Sequence, residues 1–162
     1  MKYAAKSLLL IVLGVAAMRT AAADCTATEV APISLNRTAI MYARGRGVAK
    51  NTPLASTLFR RMALGGYTPA MVNLGTMYEQ GMTGRRDHRR AYAWIRAALA
   101  LGVPKEDYEA TLFKLGIIAG RMGTARLSGA EALAVSIADE IAGRCVRPQE
   151  RPADTIAMAS EP

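Results

Sequence analysis

The chain repeats itself, and nothing else in its sequence limits the possible folds as tightly. At an offset of 36 residues, Met41-Tyr42 falls on Met77-Tyr78, Gly45 on Gly81, Lys50 on Arg86, Asn51 on Asp87, Ala55 on Ala91 and Gly66 on Gly102. At an offset of 41, Leu74-Gly75 falls on Leu115-Gly116, Ala91 on Ala132 and Gly102 on Gly143. The five extra residues are absorbed by the stretch Val103 to Asp107. Self-similarity at a period of a few tens of residues marks a repeat architecture in which each unit is one supersecondary element.

Within each copy the apolar and small residues recur three and four apart, as in Ala70, Leu74, Met77 and Tyr78, then Ala91, Trp94, Ile95 and Ala98. That spacing is helical. Between the patterns stand breakers: Gly81 to Gly84 as a helix C-cap, and Asp87 as the N-cap of the next helix, with Asn51 and Ser128 in the same role in the other copies. Each copy therefore reads as a helix–turn–helix pair. A single pair cannot bury its own apolar face, so the expected fold is all-α: a short α-solenoid of about three pairs, the last one degenerate and capping.

The filled positions are those of a known family. Leu74-Gly75-x-x-Tyr78-x-x-Gly81, then Asp87-x-x-x-Ala91-x-x-Trp94-x-x-x-Ala98-x-x-x-Gly102, together with Tyr42-x-x-Gly45-x-Gly47-Val48 in the first copy, resemble Sel-one-like repeats, relatives of the tetratricopeptide repeat. The likeness spans roughly residues 34–144 and is most specific in the second copy. Thr83-Gly84 stands where the family usually has Gly-Val, Leu58 replaces the Trp in the first copy, and Ala119 and Val135 occupy the Tyr and Trp positions of the third. The resemblance implies a right-handed solenoid and an adaptor role. Such proteins bind other proteins or peptides along a curved helical surface, and exported bacterial members often regulate signalling, secretion or surface machinery of the envelope.

The residue types suit such a stack on physical grounds as well. Gly75, Ala91 and Ala98 let helix backbones approach, while Tyr78 and Trp94 fill the space between helices and keep a polar tip for a hydrogen bond. Gly116 to Gly120 has the spacing of a helix-dimer motif and reads here as close packing within the stack. Asp139 and Glu140 stand where the second copy has Ala98 and Leu99, a polarity suited to the terminal face of a solenoid.

The first residues carry an export signal. Lys2 and Lys6 precede an apolar run from Ser7 to Met18, and Ala21-Ala22-Ala23 supplies a small-residue cleavage site. The run is short of the roughly 20 residues that span a bilayer as a helix, so no stable membrane insertion is expected once the signal is cleaved. The expected organisation is a signal peptide over 1–23, an N-terminal segment over 24–33, a repeat domain over 34–145 and a disordered tail over 146–162, which holds Pro148, Pro152 and Pro162. Loss of Lys2, Lys6 and Arg19 with no acid takes the net charge from +8 to +5. The destination is periplasm or medium. There Cys25 and Cys145 would meet an oxidising environment, and an intramolecular disulfide is the favoured state, the alternatives being two free thiols or an intermolecular bond.

Enzymatic chemistry finds little support in these residues. His88 is the single histidine, there is no G-x-S-x-G elbow and no C-x-x-C, and the methionines are scattered, which leaves no metal or cofactor site to expect. Glu106, Asp107 and Glu109 open a helix, where acids complement its dipole. Cysteine-rich members of the resembled family have been linked to hydrolysis, but they carry cysteine pairs in each repeat, and this chain has none.

The repeat register gathers the positive charge. Arg46 and Lys50 lie in the first inter-helix turn, and Arg85, Arg86, Arg89 and Arg90 lie in and just after the second, so stacking would bring both groups to one edge. Arg60 and Arg96 are repeat-equivalent and expected on one face. The expectation is a basic edge that contacts an acidic segment of another envelope or periplasmic protein, set against a solvated face that merely confers solubility. A structural subunit of a secretion or envelope assembly is the alternative role. Nucleic acid is not an expected partner, because the cluster lacks interleaved aromatic residues.

Overall fold

The computed structural model describes residues 30–145, and side-chain surroundings for 33–144. The expected signal peptide, the segment that holds Cys25, the expected Cys25–Cys145 pairing and the expected tail from 146 lie outside them. Among the described residues six α-helices follow one another: α1 Val30–Arg44, α2 Thr52–Leu64, α3 Thr68–Gln80, α4 His88–Leu101, α5 Tyr108–Gly120 and α6 Thr124–Cys145. A 3-10 turn at Lys105–Asp107 precedes α5. The described residues contain no strand. Helix α1 starts four residues ahead of the boundary expected at residue 34.

The first two pairs are built alike, down to single hydrogen bonds. Asn51 caps α2 by accepting from Leu54 N (3.0 Å), and Asp87 caps α4 by accepting from Arg90 N (2.9 Å). The turns close identically, with Asn51 N donating to Tyr42 O and Asp87 N donating to Tyr78 O, both at 2.9 Å. Gly45 (φ +69°) and Gly81 (φ +73°) make the left-handed step out of the preceding helix, a conformation that costs glycine alone nothing. This is a repeat in backbone geometry as well as in sequence.

One core threads the stack. Phe59, Met71, Leu74, Ile95, Ile118 and Ile141 are its largest fully buried side chains, joined by Tyr78 and Trp94 as the periodicity predicts. Each helix packs on its sequence neighbour from α1 through α5. Polar bonds tie equivalent helices of successive pairs: Asn73 Nδ2 donates to Asn36 Oδ1 (3.1 Å), and Lys114 Nζ donates to Thr76 Oγ1 (3.1 Å). Arg121 pairs with Glu79 across the same layer.

The third pair departs from the pattern in two respects. Ser128 is not an N-cap. Gly123 O accepts from both Arg126 N and Leu127 N, so α6 begins at Thr124, ahead of the start that a Ser128 cap would give, and Ser128 sits inside the helix with its hydroxyl donating to Ala125 O. More consequentially, α6 packs extensively on α4 but makes almost no contact with α5, its partner in the pair. Gly116 and Gly120 have no atom within 4 Å of where a Cβ would stand, so they do not mark close packing within the stack.

Candidate functional site

Part of the exposed positive charge gathers around Tyr78: Arg60, Arg85, Arg86, Arg89, Arg90 and Arg126. Tyr78, on α3, is buried. Arg60, from α2, donates through Nη2 to Tyr78 Oη at 2.6 Å, and the Arg90 guanidinium lies 5.7 Å from the ring centroid. A cation at that distance is attracted by the ring quadrupole. The two arginines thus meet at one aromatic side chain although thirty residues separate them in sequence.

Two grooves open on either side of this contact. One, of about 450 Å³, is lined by Arg85, Arg86, Arg89, Arg90 and Arg126 over a floor of Tyr78 and Met122, and Asp87 is its single acid. The other, of about 540 Å³, runs past Arg60, Ser56 and Thr52 and shares Tyr78, Thr83 and Arg90 with the first. Asp87 is occupied, since it caps α4 and pairs with Arg90 at 3.5 Å. His88 also lines the first groove, and its Nδ1 is buried without a hydrogen-bond partner among the described residues.

Of the residues expected from sequence, Arg85, Arg86, Arg89 and Arg90 therefore share one groove, and Arg60 joins them through Tyr78. Arg46 and Lys50 occupy the equivalent turn of the first pair and line neither groove. Arg96 is diverted. Its place relative to the next pair matches that of Arg60, but Tyr78 is replaced there by Ala119, which offers no oxygen, and Arg96 pairs instead with Glu131 of α6 at 3.6 Å. Arg126 went unnoticed in the sequence, because it belongs to the degenerate copy and only the packing of α6 on α4 carries it to the groove.

Glu131 also anchors Tyr92, whose hydroxyl donates to it. Burial first, then the carboxylate beside it, push the Tyr92 phenol up to about 12, with Arg96 opposing. Lys114 is held below its usual range, mainly by burial and secondly by Arg44. Neither faces the basic groove. Among the described residues, no group of three or more His, Cys, Asp or Glu side chains is placed to hold a metal ion, and no helix is long and apolar enough to cross a membrane.

The Sel1 repeat matches over residues 32–67 and again over 68–103, which are α1–α2 and α3–α4 with their turns. The chain carries two Sel1 repeats. Among solved structures, a protective antigen of uropathogenic Escherichia coli displaying an SLR fold is similar, with a TM-score of 0.61 and 22% identity over 73% of this chain. This chain covers 26% of that one, so it spans about a quarter of its length. The likeness extends the shared fold beyond the two matched Sel1 repeats. No curated protein matches. The Sel1 repeat is a protein–protein interaction repeat, and its chains typically act as non-catalytic scaffolds.

Proposed function

We propose that this Sel1-repeat chain is an exported, non-enzymatic adaptor that holds an acidic segment of another envelope protein in the groove around Tyr78. The observation that carries this reading is the lining of that groove: Arg85, Arg86, Arg89, Arg90 and Arg126 around Tyr78 and Met122, with Asp87 as the sole acid. Guanidinium groups pair with carboxylates through two parallel hydrogen bonds, which gives orientation as well as attraction. The apolar floor supplies a place for an adjoining aliphatic or aromatic side chain. Export is supported by the basic, apolar and small-residue succession at the N-terminus.

The test is a titration of a fluorescent Glu/Asp-rich peptide carrying one central Leu against the wild type and the triple variant Arg86→Glu, Arg89→Glu, Arg90→Glu. Saturable binding lost in the variant, with helix content unchanged by circular dichroism, is the expected result. Equal binding by both proteins would return these arginines to a solubilising role. In-cell crosslinking in the exporting host, comparing the same two proteins, then names the partner: loss of one dominant envelope protein from the variant's capture is expected.

A further inference from the structure

The open third pair has a free helix-sized place, and its shape can be read from the closed pair above it. In the second repeat α4 lies on α3, with Ile95 and the Ala91 carbonyl pressed against Gly75. On α5 the equivalent glycine is Gly116, and nothing approaches it. Met71 of α3 is fully buried, whereas its counterpart Leu112 is 44% exposed. Phe113, at 73%, and Ile117, at 43%, extend the bare apolar surface around the helix.

Helix α6 does not fill this place because its sequence no longer can. At the positions of Ala91, Trp94, Ile95 and Ala98 it carries Ala132, Val135, Ser136 and Asp139, all exposed. The clamp at the end of the pair is lost too. Thr68 Oγ1 donates to Gly102 O at 3.0 Å in the second repeat, but Glu109 replaces Thr68 in the third, and a carboxylate cannot donate to a carbonyl. Ala130, Ala134 and Ile141 bury the other face of α6, the one that packs on α4.

We infer that α5 is a docking site for an amphipathic helix from a partner protein, one that presents a small residue and an aliphatic residue four apart to Gly116 and carries basic residues in its last turn. The apolar half follows from the register: the partner helix sits on α5 as α4 sits on α3, antiparallel, with its C-terminal end beside Glu109. The basic half follows from charge. Glu79, Asp87, Glu131 and Glu140 each have an ion pair, while Glu106, Asp107, Glu109 and Asp139 have none among the described residues. Glu106 and Asp107 stand in the 3-10 turn just before α5, Glu109 in its first turn and Asp139 late in α6, so all four stand at the end of the pair away from the connecting turn. A helix with Lys or Arg in its last turn meets these acids and satisfies its own dipole.

Other occupants fit less well. Residues 146–162 carry Arg147 and Arg151 against Glu150, Asp154 and Glu161, so this stretch brings acid to acid. A second copy docking α5 on this face in parallel brings like charges together, and docking antiparallel it offers Arg121 alone, which already pairs with Glu79. A helix laid in a groove is an established mode of recognition that needs only such a face.

The test uses two labelled peptides with the full chain: the α4 sequence itself, residues 88–101, and the same peptide extended by three C-terminal lysines. Both are expected to bind saturably at one site, the extended one roughly tenfold tighter at low salt, an advantage that added salt removes. Gly116→Leu, which fills the notch, and Leu112→Glu, an independent variant, should each weaken binding at least about tenfold while the helix content stays unchanged. Glu109→Lys should remove the advantage of the lysine extension. Absence of saturable binding overturns the inference, as does binding that survives Gly116→Leu. Micromolar self-association that disappears in Gly116→Leu would assign the face to a second copy and overturn it equally. The arginine triple variant should bind both peptides normally, which separates this site from the groove around Tyr78.

Discussion

Gly75 and Ile95 interlock across the α3–α4 interface: a Cβ on Gly75 would lie 2.6 Å from Ile95 Cγ1 and 2.9 Å from the Ala91 carbonyl oxygen. The carbonyl is fixed in the α4 backbone, so a rotation of Ile95 alone cannot relieve both contacts. The second repeat is therefore closed by the absence of a side chain, and the third is open although it has a glycine at the equivalent position, Gly116.

Alanine at the two positions should act in opposite directions. Gly75→Ala forces α3 and α4 apart and is expected to cost about 1–3 kcal/mol. Gly116→Ala meets nothing within 4 Å and removes the entropic cost of a glycine inside a helix, so a gain of about 0.5–1 kcal/mol is expected. Urea unfolding of the two variants beside the wild type checks both signs. A stabilised Gly75→Ala would mean that the interface is looser than these distances indicate.

Asp87 serves the fold and the groove with opposite effects. As the N-cap of α4 its loss to Ala should cost about 1 kcal/mol. As the single acid among five arginines, its loss frees Arg90 and strengthens attraction for an anionic peptide. A variant that melts earlier yet binds the acidic peptide more tightly is expected from thermal melts and the same titration. Asp87→Asn should keep most of the cap and still show the gain in affinity.

Thr68 is buried and closes the second repeat by donating to Gly102 O. Thr68→Val keeps the shape, removes the donor and leaves a carbonyl short of its partner, a loss of about 1–2 kcal/mol. Thr68→Ser should recover most of it. Hydrogen exchange localised to the last turn of α4 distinguishes an opened clamp from general destabilisation.

The helices and most of the core were legible because the repeat states them twice. Asn51 and Asp87 stand at equivalent positions and perform the same task, and Tyr78 and Trp94 fall at the buried positions of the helical period, so periodicity and cap chemistry agree. Ser128 misled for the same reason: the offset that places it opposite Asp87 ignores the shorter turn at 121–123, where Gly123 starts the helix early. The arginines of the groove were visible as a cluster, but not their convergence on Tyr78, which depends on α2 reaching across to α3. Nor could the open third pair be seen from any one substitution. It takes Glu109, Val135, Ser136 and Asp139 together to remove what holds α4 to α3.

The pH dependence of stability should locate the link between α4 and α6. Tyr92 donates to Glu131, and its phenol is raised from 10.0 to about 12 in the folded chain, first by burial and then by that carboxylate. The folded state therefore holds this proton more tightly than the unfolded one. The corresponding stability is fully present below pH 10 and is lost as pH rises from 10 toward 12. Lys114 acts in the opposite sense: its folded value is lowered, so the unfolded chain binds the proton more tightly and stability from this group rises with pH up to about the usual lysine value. Tyr92→Phe removes the first contribution and leaves the second. Denaturant melts at pH 9, 10 and 11 should show the wild type losing stability more steeply than Tyr92→Phe. Parallel slopes would mean that Glu131 holds α6 to α4 through Arg96 alone, and Glu131→Gln, which retains an acceptor for Tyr92 but weakens the arginine pair, would then be the more damaging change.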